Sequence, residues 1–413
     1  MTVPAGPKHL GRDFRLLWAG ETVSMLGSAV AGTALPLVAV VGLRASTFEV
    51  ALLTAVAWLP WLVVGLPAGA WVDRMRKRPV MAACNTASMV VFASVPLALL
   101  AGVLSMPYLL GAALAGGTAK VFFSVAYRSF LTVLVDREQL LVANTRLLGS
   151  ESAAQVGGPG LAGLMAGFFG PVSGVLADAL SFGVSVLFLR GIRAREEKPV
   201  AGSRVRLRTQ VAQGLRFVAG DPYLRVLVVF GAVSNLALNG YASIQVVFLA
   251  RRLGAGAGTI GLVLALAEVG GVAAALLIGR LSGRFGTARA FLLCQALAAP
   301  GMLLGPLDGL GFFVLAGIAV CAGIVGSNVL TGTFRQRYCP PELFGRITAC
   351  SAVVNYSTIP LGGLLGGVLG QTLGVRETML VMGVVQLASL AILVFSPLRP
   401  LRDFPQYRRE PAR

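Results

Sequence analysis

Apolar residues run in twelve long stretches, near 16–42, 50–72, 79–101, 107–127, 147–169, 172–190, 225–250, 259–279, 290–307, 310–332, 347–370 and 378–396. Short polar, Arg-rich or Gly-rich breaks separate them. A helix needs roughly 20 predominantly apolar residues to cross the hydrocarbon core, and most of these stretches supply about that number. Backbone in lipid must satisfy its own hydrogen bonds, so the pattern predicts an all-α membrane protein with twelve transmembrane helices. Composition agrees. The 413 residues are 56% hydrophobic and 13% charged, about half the ~25% charge of a soluble domain, which argues against a water-soluble enzyme.

The formal charge of +18 suggests nucleic acid only if the bases gather on a solvated face, and here they sit between apolar runs. They fall in alternate connections. One set holds Lys8, Arg12 and Arg15, then Arg74 to Arg78, Arg128 to Arg146, the 190–225 segment, Arg280 to Arg289, Arg335 to Arg346 and Arg399 onward; the other holds only Arg44, Arg251, Arg252 and Arg376. The asymmetry predicts a multi-pass protein of the cell membrane with both termini cytoplasmic. The N-terminus imitates a signal peptide, but its apolar run is too long and contains Glu21, which predicts an uncleaved first span. Five scattered cysteines without CxxC spacing and a single histidine, His9, point to no disulfide framework, metal or other cofactor, and no Ser-His-Asp chemistry.

The longest connection, about 191–224, divides the spans six and six. Leu207, Val211, Leu215 and Val218 recur in it at helical spacing, with Arg204, Arg208 and Arg216 on another face. This predicts an amphipathic helix on anionic headgroups, with a solvated basic linker as the alternative. The halves also repeat. FRLLWAGETVSMLG (14–27) aligns with LRVLVVFGAVSNLA (224–237) at an offset of 210, and the same offset pairs Gly69 with Gly279, Arg74 with Arg284 and Cys84 with Cys294. The expected domains are a six-helix lobe at 1–190, the linker, a second pseudo-symmetric six-helix lobe at 225–396 and a tail at 397–413. Tandem six-span halves suit a transporter with a midplane site, a small-molecule substrate and a monomeric state in the lipid bilayer.

The strongest local signal is GAWVDRMRKR, residues 69–78. Gly69 would permit close helix approach, Asp73 offers a carboxylate at the surface, and Arg74 and Arg78 anchor the loop. The run resembles the loop motif of the major facilitator superfamily. That resemblance implies the two-lobed major facilitator fold and a conformational latch in which Asp73 faces the start of span eleven, where Arg346 is a suitable partner. The second copy, GRLSGRFGTAR (279–289), has Gly283 where the Asp would stand. VGGPGLAG (156–163), carrying Gly158, Pro159 and Gly163, is similar to the span-five motif of drug-proton antiporters, though Ala154 and Ala162 replace two of its glycines; a kinked, tightly packed helix is the alternative. LADALSF (176–182) and GLRFVAGDPYLR (214–225) resemble the branch that includes macrolide-efflux and enterobactin-export proteins.

Four ionisable groups fall within the spans, where insertion of a charge costs at least about 2.5–3.5 kcal/mol. Glu21 lies about 9 Å along its helix from Arg15, and Lys120 about 12 Å from Arg128 on the same side. The two could pair across spans one and four, as a coupling site for protons or as a static ion pair. Glu268 lies about 18 Å from Arg280, near the midplane, with no second base at its depth. It is either a proton carrier or a hydrogen-bonded structural group. Asp178 is expected to be structural. Polar stripes comprise Glu21, Ser24 and Ser28; Lys120, Ser124, Tyr127 and Arg128; Asn235, Asn239 and Ser243; and Ser351, Asn355 and Thr358. With Trp58, Trp61, Tyr241 and Tyr356 they would line a cavity for a bulky, partly apolar ligand, or glue helices together.

The expected function is proton-coupled export of an amphiphilic small molecule. The alternatives are a siderophore exporter or polar-metabolite uptake carrier and, in other classes, a membrane-embedded enzyme or a non-transporting sensor. GAGTIG (256–261) matches a dinucleotide fingerprint but lies outside any βαβ context, and no Walker lysine follows a Gly-rich run, so ATP-driven transport has no support.

Overall fold

The computed structural model describes residues 10–72, 74–136, 139–194, 196, 216–339 and 341–405. No β-strand occurs among them. The helices are α1 (Arg12–Leu37), α2 (Thr47–Val63), α3 (Gly65–Val72), α4 (Lys77–Leu100), α5 (Met106–Leu134), α6 (Leu140–Phe169), α7 (Val172–Gly191), α8 (Pro222–Val247), α9 (Ala257–Phe285), α10 (Thr287–Leu304), α11 (Leu310–Tyr338), α12 (Pro341–Thr372) and α13 (Val375–Val394). Each predicted apolar stretch coincides with a helix, except that 50–72 divides into α2 and α3 at Val64. This break lies three residues before Pro67, which offers no N–H to the Val63 carbonyl and crowds it with its ring. Among the described residues nine helical segments are long and apolar enough to cross a membrane. Their outer faces carry Leu100, Leu187, Leu276 and Phe395, all largely exposed, as suits helices whose surroundings are hydrocarbon.

The internal repeat is visible in backbone detail. α1 ends in a π-helical turn, Val38–Gly42, and α8 ends in another, Phe248–Arg252, at the offset read from the sequence. Two residues beyond each turn the chain takes a positive φ, at Arg44 (51°) and Gly254 (63°).

The chain forms two compact units. Unit 1 comprises 1–45, 56–202 and 256–262; unit 2 comprises 46–55, 203–255 and 263–413. Two short segments group with the opposite unit from the one that a division at the linker expects. The first turns of α9 belong to unit 1, where Gly261 lies on Gly163 of α6 with no room for a Cβ. The start of α2 belongs to unit 2, where Gly367 of α12 lies against Ala51 and Phe48.

In unit 1 a core of Phe14, Leu17, Met81, Phe130 and Leu189 packs at the basic end of the spans. In unit 2 the corresponding core is Leu227, Phe230, Phe291, Phe334 and Phe404. Two expectations change here. Val218, read as facing headgroups, is buried in the unit 2 core, while Arg216 in the same helical turn is exposed; the expected amphipathic helix before residue 216 lies outside the described residues. Leu398 and Phe404, read as tail, are buried in the same core, with the Phe404 ring 4.7 Å from that of Phe334.

Related carboxylates cap both third spans. The Glu196 side chain accepts from the Lys77 and Arg78 amides at the N-terminus of α4, the latter at 2.6 Å. Asp403 accepts from the Thr287 amide at the N-terminus of α10, at 2.8 Å. Each satisfies a backbone N–H that has no helical partner and places negative charge at the positive end of a helix.

Candidate functional site

In unit 1 the polar face of α1 is buried. Glu21 is 4% exposed and its Oε1 has no hydrogen-bond partner. Ser24 is buried one turn further on. Tyr127 of α5 is within electrostatic reach of Glu21, and its hydroxyl is likewise buried and unpartnered. The Tyr127 ring stacks on Phe123 with centroids 6.0 Å apart, and Ser124 is half-buried on the same helix.

The expected Glu21–Lys120 ion pair is not formed. Lys120 is exposed, and its ammonium stands 5.9 Å from the Trp58 ring, beside Trp61, whose ring lies 6.4 Å from that of Trp58. The long side chain carries its charge to an aromatic face, away from Glu21. Ser28 turns toward α7, where its hydroxyl donates to Asp178 Oδ1 at 3.3 Å. Ser181 also contacts Asp178, and Gly27 leaves no room for a side chain between the two helices. Asp178 thus joins α7 to α1.

In unit 2 a cavity of about 130 Å³ opens between α8, α10, α11, α12 and α13. Asn235 and Asn355, both expected from the sequence, line it. Gln295, Ser327, Asn328, Thr331, Arg335 and Gln386 also line it and were missed. Gln295 donates to Ser327 at 2.7 Å. Three polar atoms on the wall are buried without partners: Arg335 Nε, Asn355 Oδ1 and Gln386 Oε1. The available signal was an isolated amide inside an apolar span, at Gln295 and Gln386; Arg335 was counted only as an anchoring base.

Asn239 is not on the cavity wall; its amide donates to the Asn235 carbonyl at 2.8 Å. Ser243 donates to Gly240 O and packs at Gly366, in the seam between α8 and α12. Tyr356 is half-buried on α12. Glu268 on α9 is partly buried, with the Cys321 thiol of α11 beside its carboxylate. Its neighbour is therefore a weak donor rather than a base.

Asp73 and the Arg346 side chain, the two halves of the expected latch, lie outside the described residues. Arg78 closes the end of α7 by donating to Leu189 O and Arg190 O, at 2.8 and 2.7 Å. Arg74 is exposed. Gly69 has no neighbour within 4 Å of where its Cβ would stand, so no close approach explains it. In the span-five motif, Gly158 packs directly on Ala29 of α1, Pro159 stands within α6 and Gly163 meets Gly261.

The chain matches the transmembrane secretion effector family over residues 10–410. It is 27% identical over 370 residues to the multidrug efflux pump Tap of Mycolicibacterium fortuitum, covering 85% of this chain and 88% of that protein. It is 23% identical to macrolide efflux protein A of Streptococcus pyogenes, covering 90% and 92%. Its fold is similar to that of the nucleoside transporter NupG, with a TM-score of 0.77, 12% identity and coverage of 92% and 99%. With the helices and the repeat these matches agree on one assignment: the chain belongs to the transmembrane secretion effector family of the major facilitator superfamily, and is a multi-pass membrane transporter of small molecules, not an enzyme.

Proposed function

We propose that this transporter exports an amphiphilic organic molecule, such as an antibiotic or secondary metabolite, in exchange for protons by alternating access. The termini and the basic ends of the spans then face the cytoplasm. The observation that carries the reading is Glu21, a carboxyl buried in α1 with an unpartnered oxygen, near an equally unpartnered Tyr127 hydroxyl. A carboxyl held away from bases and water in a span is a group that can take and release a proton as its surroundings change. Glu268, beside the Cys321 thiol, is the second candidate. The efflux relatives support a drug-like solute, and the aromatic pair Trp58 and Trp61 supplies amphipathic surface for one.

The test is export of a macrolide and a panel of amphiphilic dyes into inverted vesicles energised with a proton gradient. Wild-type protein should lose export when a protonophore is added. Glu21→Gln combined with Glu268→Gln should lower gradient-driven export at least tenfold while leaving dye binding in place. Intact proton-dependent export by the double variant would remove both carboxyls as carriers. Export insensitive to the protonophore would remove proton coupling.

A further inference from the structure

The unit 2 cavity has a composition that the export reading leaves unused. Part of its lining is polar: Arg335, Gln386, Asn355, Gln295, Ser327 and Asn328. Apolar residues line it too, among them Ile324 and the pair Phe230 and Phe291, edge to face at 6.0 Å. Among the described residues lining the cavity none is acidic, so the Arg335 guanidinium has no counter-charge among them. Gln386 is 1% exposed and its Oε1 reaches the cavity without a partner, as does Asn355 Oδ1. A carboxamide turned by 180° offers NH₂ where its oxygen stood, so both amides can donate to an anion that Arg335 holds. Gly231 is what leaves Asn355 its place, because a Cβ there would lie 3.1 Å from Asn355 Oδ1. Asn328 is exposed, which leaves the cavity open to a solute.

We infer that unit 2 binds a small aromatic monocarboxylate, its carboxylate in the Arg335 fork and its ring against Phe230 and Phe291. A single guanidinium matches one negative charge, and its planar donors fit a carboxylate in a bidentate pair. The volume of about 130 Å³ is less than the about 150 Å³ that encloses benzene, so part of the ligand extends through the opening at Asn328. The inference deepens the export reading by naming a solute class, but the binding it asserts does not require transport.

The test is calorimetric titration of the purified full chain in detergent with benzoate, benzamide and inorganic phosphate. Benzoate should bind at least tenfold more tightly than its neutral isostere benzamide and than phosphate. Arg335→Gln should erase the preference for benzoate over benzamide. Gly231→Leu keeps the charge but crowds Asn355 and the cavity, and should weaken both aromatic ligands at least tenfold. Failure of benzoate to bind, equal binding of benzoate and benzamide, phosphate binding as tight as benzoate, a preference that survives Arg335→Gln, or benzoate binding unchanged in Gly231→Leu would each overturn the inference. Should Arg335→Gln not fold, the three wild-type titrations and Gly231→Leu still decide it. Benzoate that binds as stated but is neither exported from energised vesicles nor competes with dye export would leave the binding site standing and remove aromatic acids as the exported solute.

Discussion

Arg44 holds a left-handed backbone, φ 51°, at the position where the second half has Gly254. A side chain in that region crowds its own carbonyl, and glycine removes the crowding at some cost in unfolded-state entropy. Arg44→Gly should therefore stabilise the protein by about 0.5–1 kcal/mol, seen as a higher unfolding midpoint in detergent. Asp308 supplies a pH test. Arg252 donates to it at 3.2 Å and holds its carboxyl below the usual range, so the stability from this pair is present above the ordinary Asp range and fades as pH falls through the depressed value. Both side chains are exposed, so the effect is small and should vanish in about 1 M salt or in Arg252→Gln, read from unfolding midpoints as pH falls through and below the ordinary Asp range. At this scale the sequence was legible where a charge broke an apolar run, as at Glu21 and Glu268. It was not legible at Gln386 or Arg335, because a neutral amide hardly disturbs a hydropathy pattern and a base at a span end looks like an anchor. Nor could spacing show that Lys120 would settle over Trp58, which depends on how helices turn about their axes.

Elements were read more fully, since a period of apolar residues long enough to span a membrane allows little but a helix. Their terminations were not, because the residues that end them come from far along the chain. Asp403 caps α10 from 116 residues away, and Phe404 N–H donates back to Thr287 Oγ1 at 2.9 Å. Asp403→Ala should cost about 1 kcal/mol and loosen the segment after α13, detected as a lower unfolding midpoint and faster proteolysis near residue 404. Glu196→Ala should do the same at α4. Close helix packing gives a sharper test. The Cβ of an alanine at Gly270 would collide with Ile318 O on α11, backbone that a rotamer change cannot move aside. Gly270→Ala should thus destabilise by about 1–3 kcal/mol, whereas Gly279→Ala on the same helix, with nothing within 4 Å, should be close to neutral.

On the scale of the whole molecule, repetition was the most legible property. A single offset aligns the π-helical turns, the positive-φ residues beyond them and the acid-capped third spans. The unit boundaries were less so, because glycines at Gly261 and Gly367 gain meaning only from what lies across from them. The orientation drawn from the bases is directly testable: a protease-sensitive tag after residue 413 should be cut in inverted vesicles and protected in right-side-out ones. The acid caps also bear on how the chain is made. Lys77 waits for Glu196, 119 residues later, and Thr287 waits for Asp403, 116 residues later. At about 5–20 residues per second of synthesis each helix start stays open for roughly 6–24 s. The first cap arrives before α8 has been translated, so the start of α4 can close on the ribosome while the later half is still unwritten.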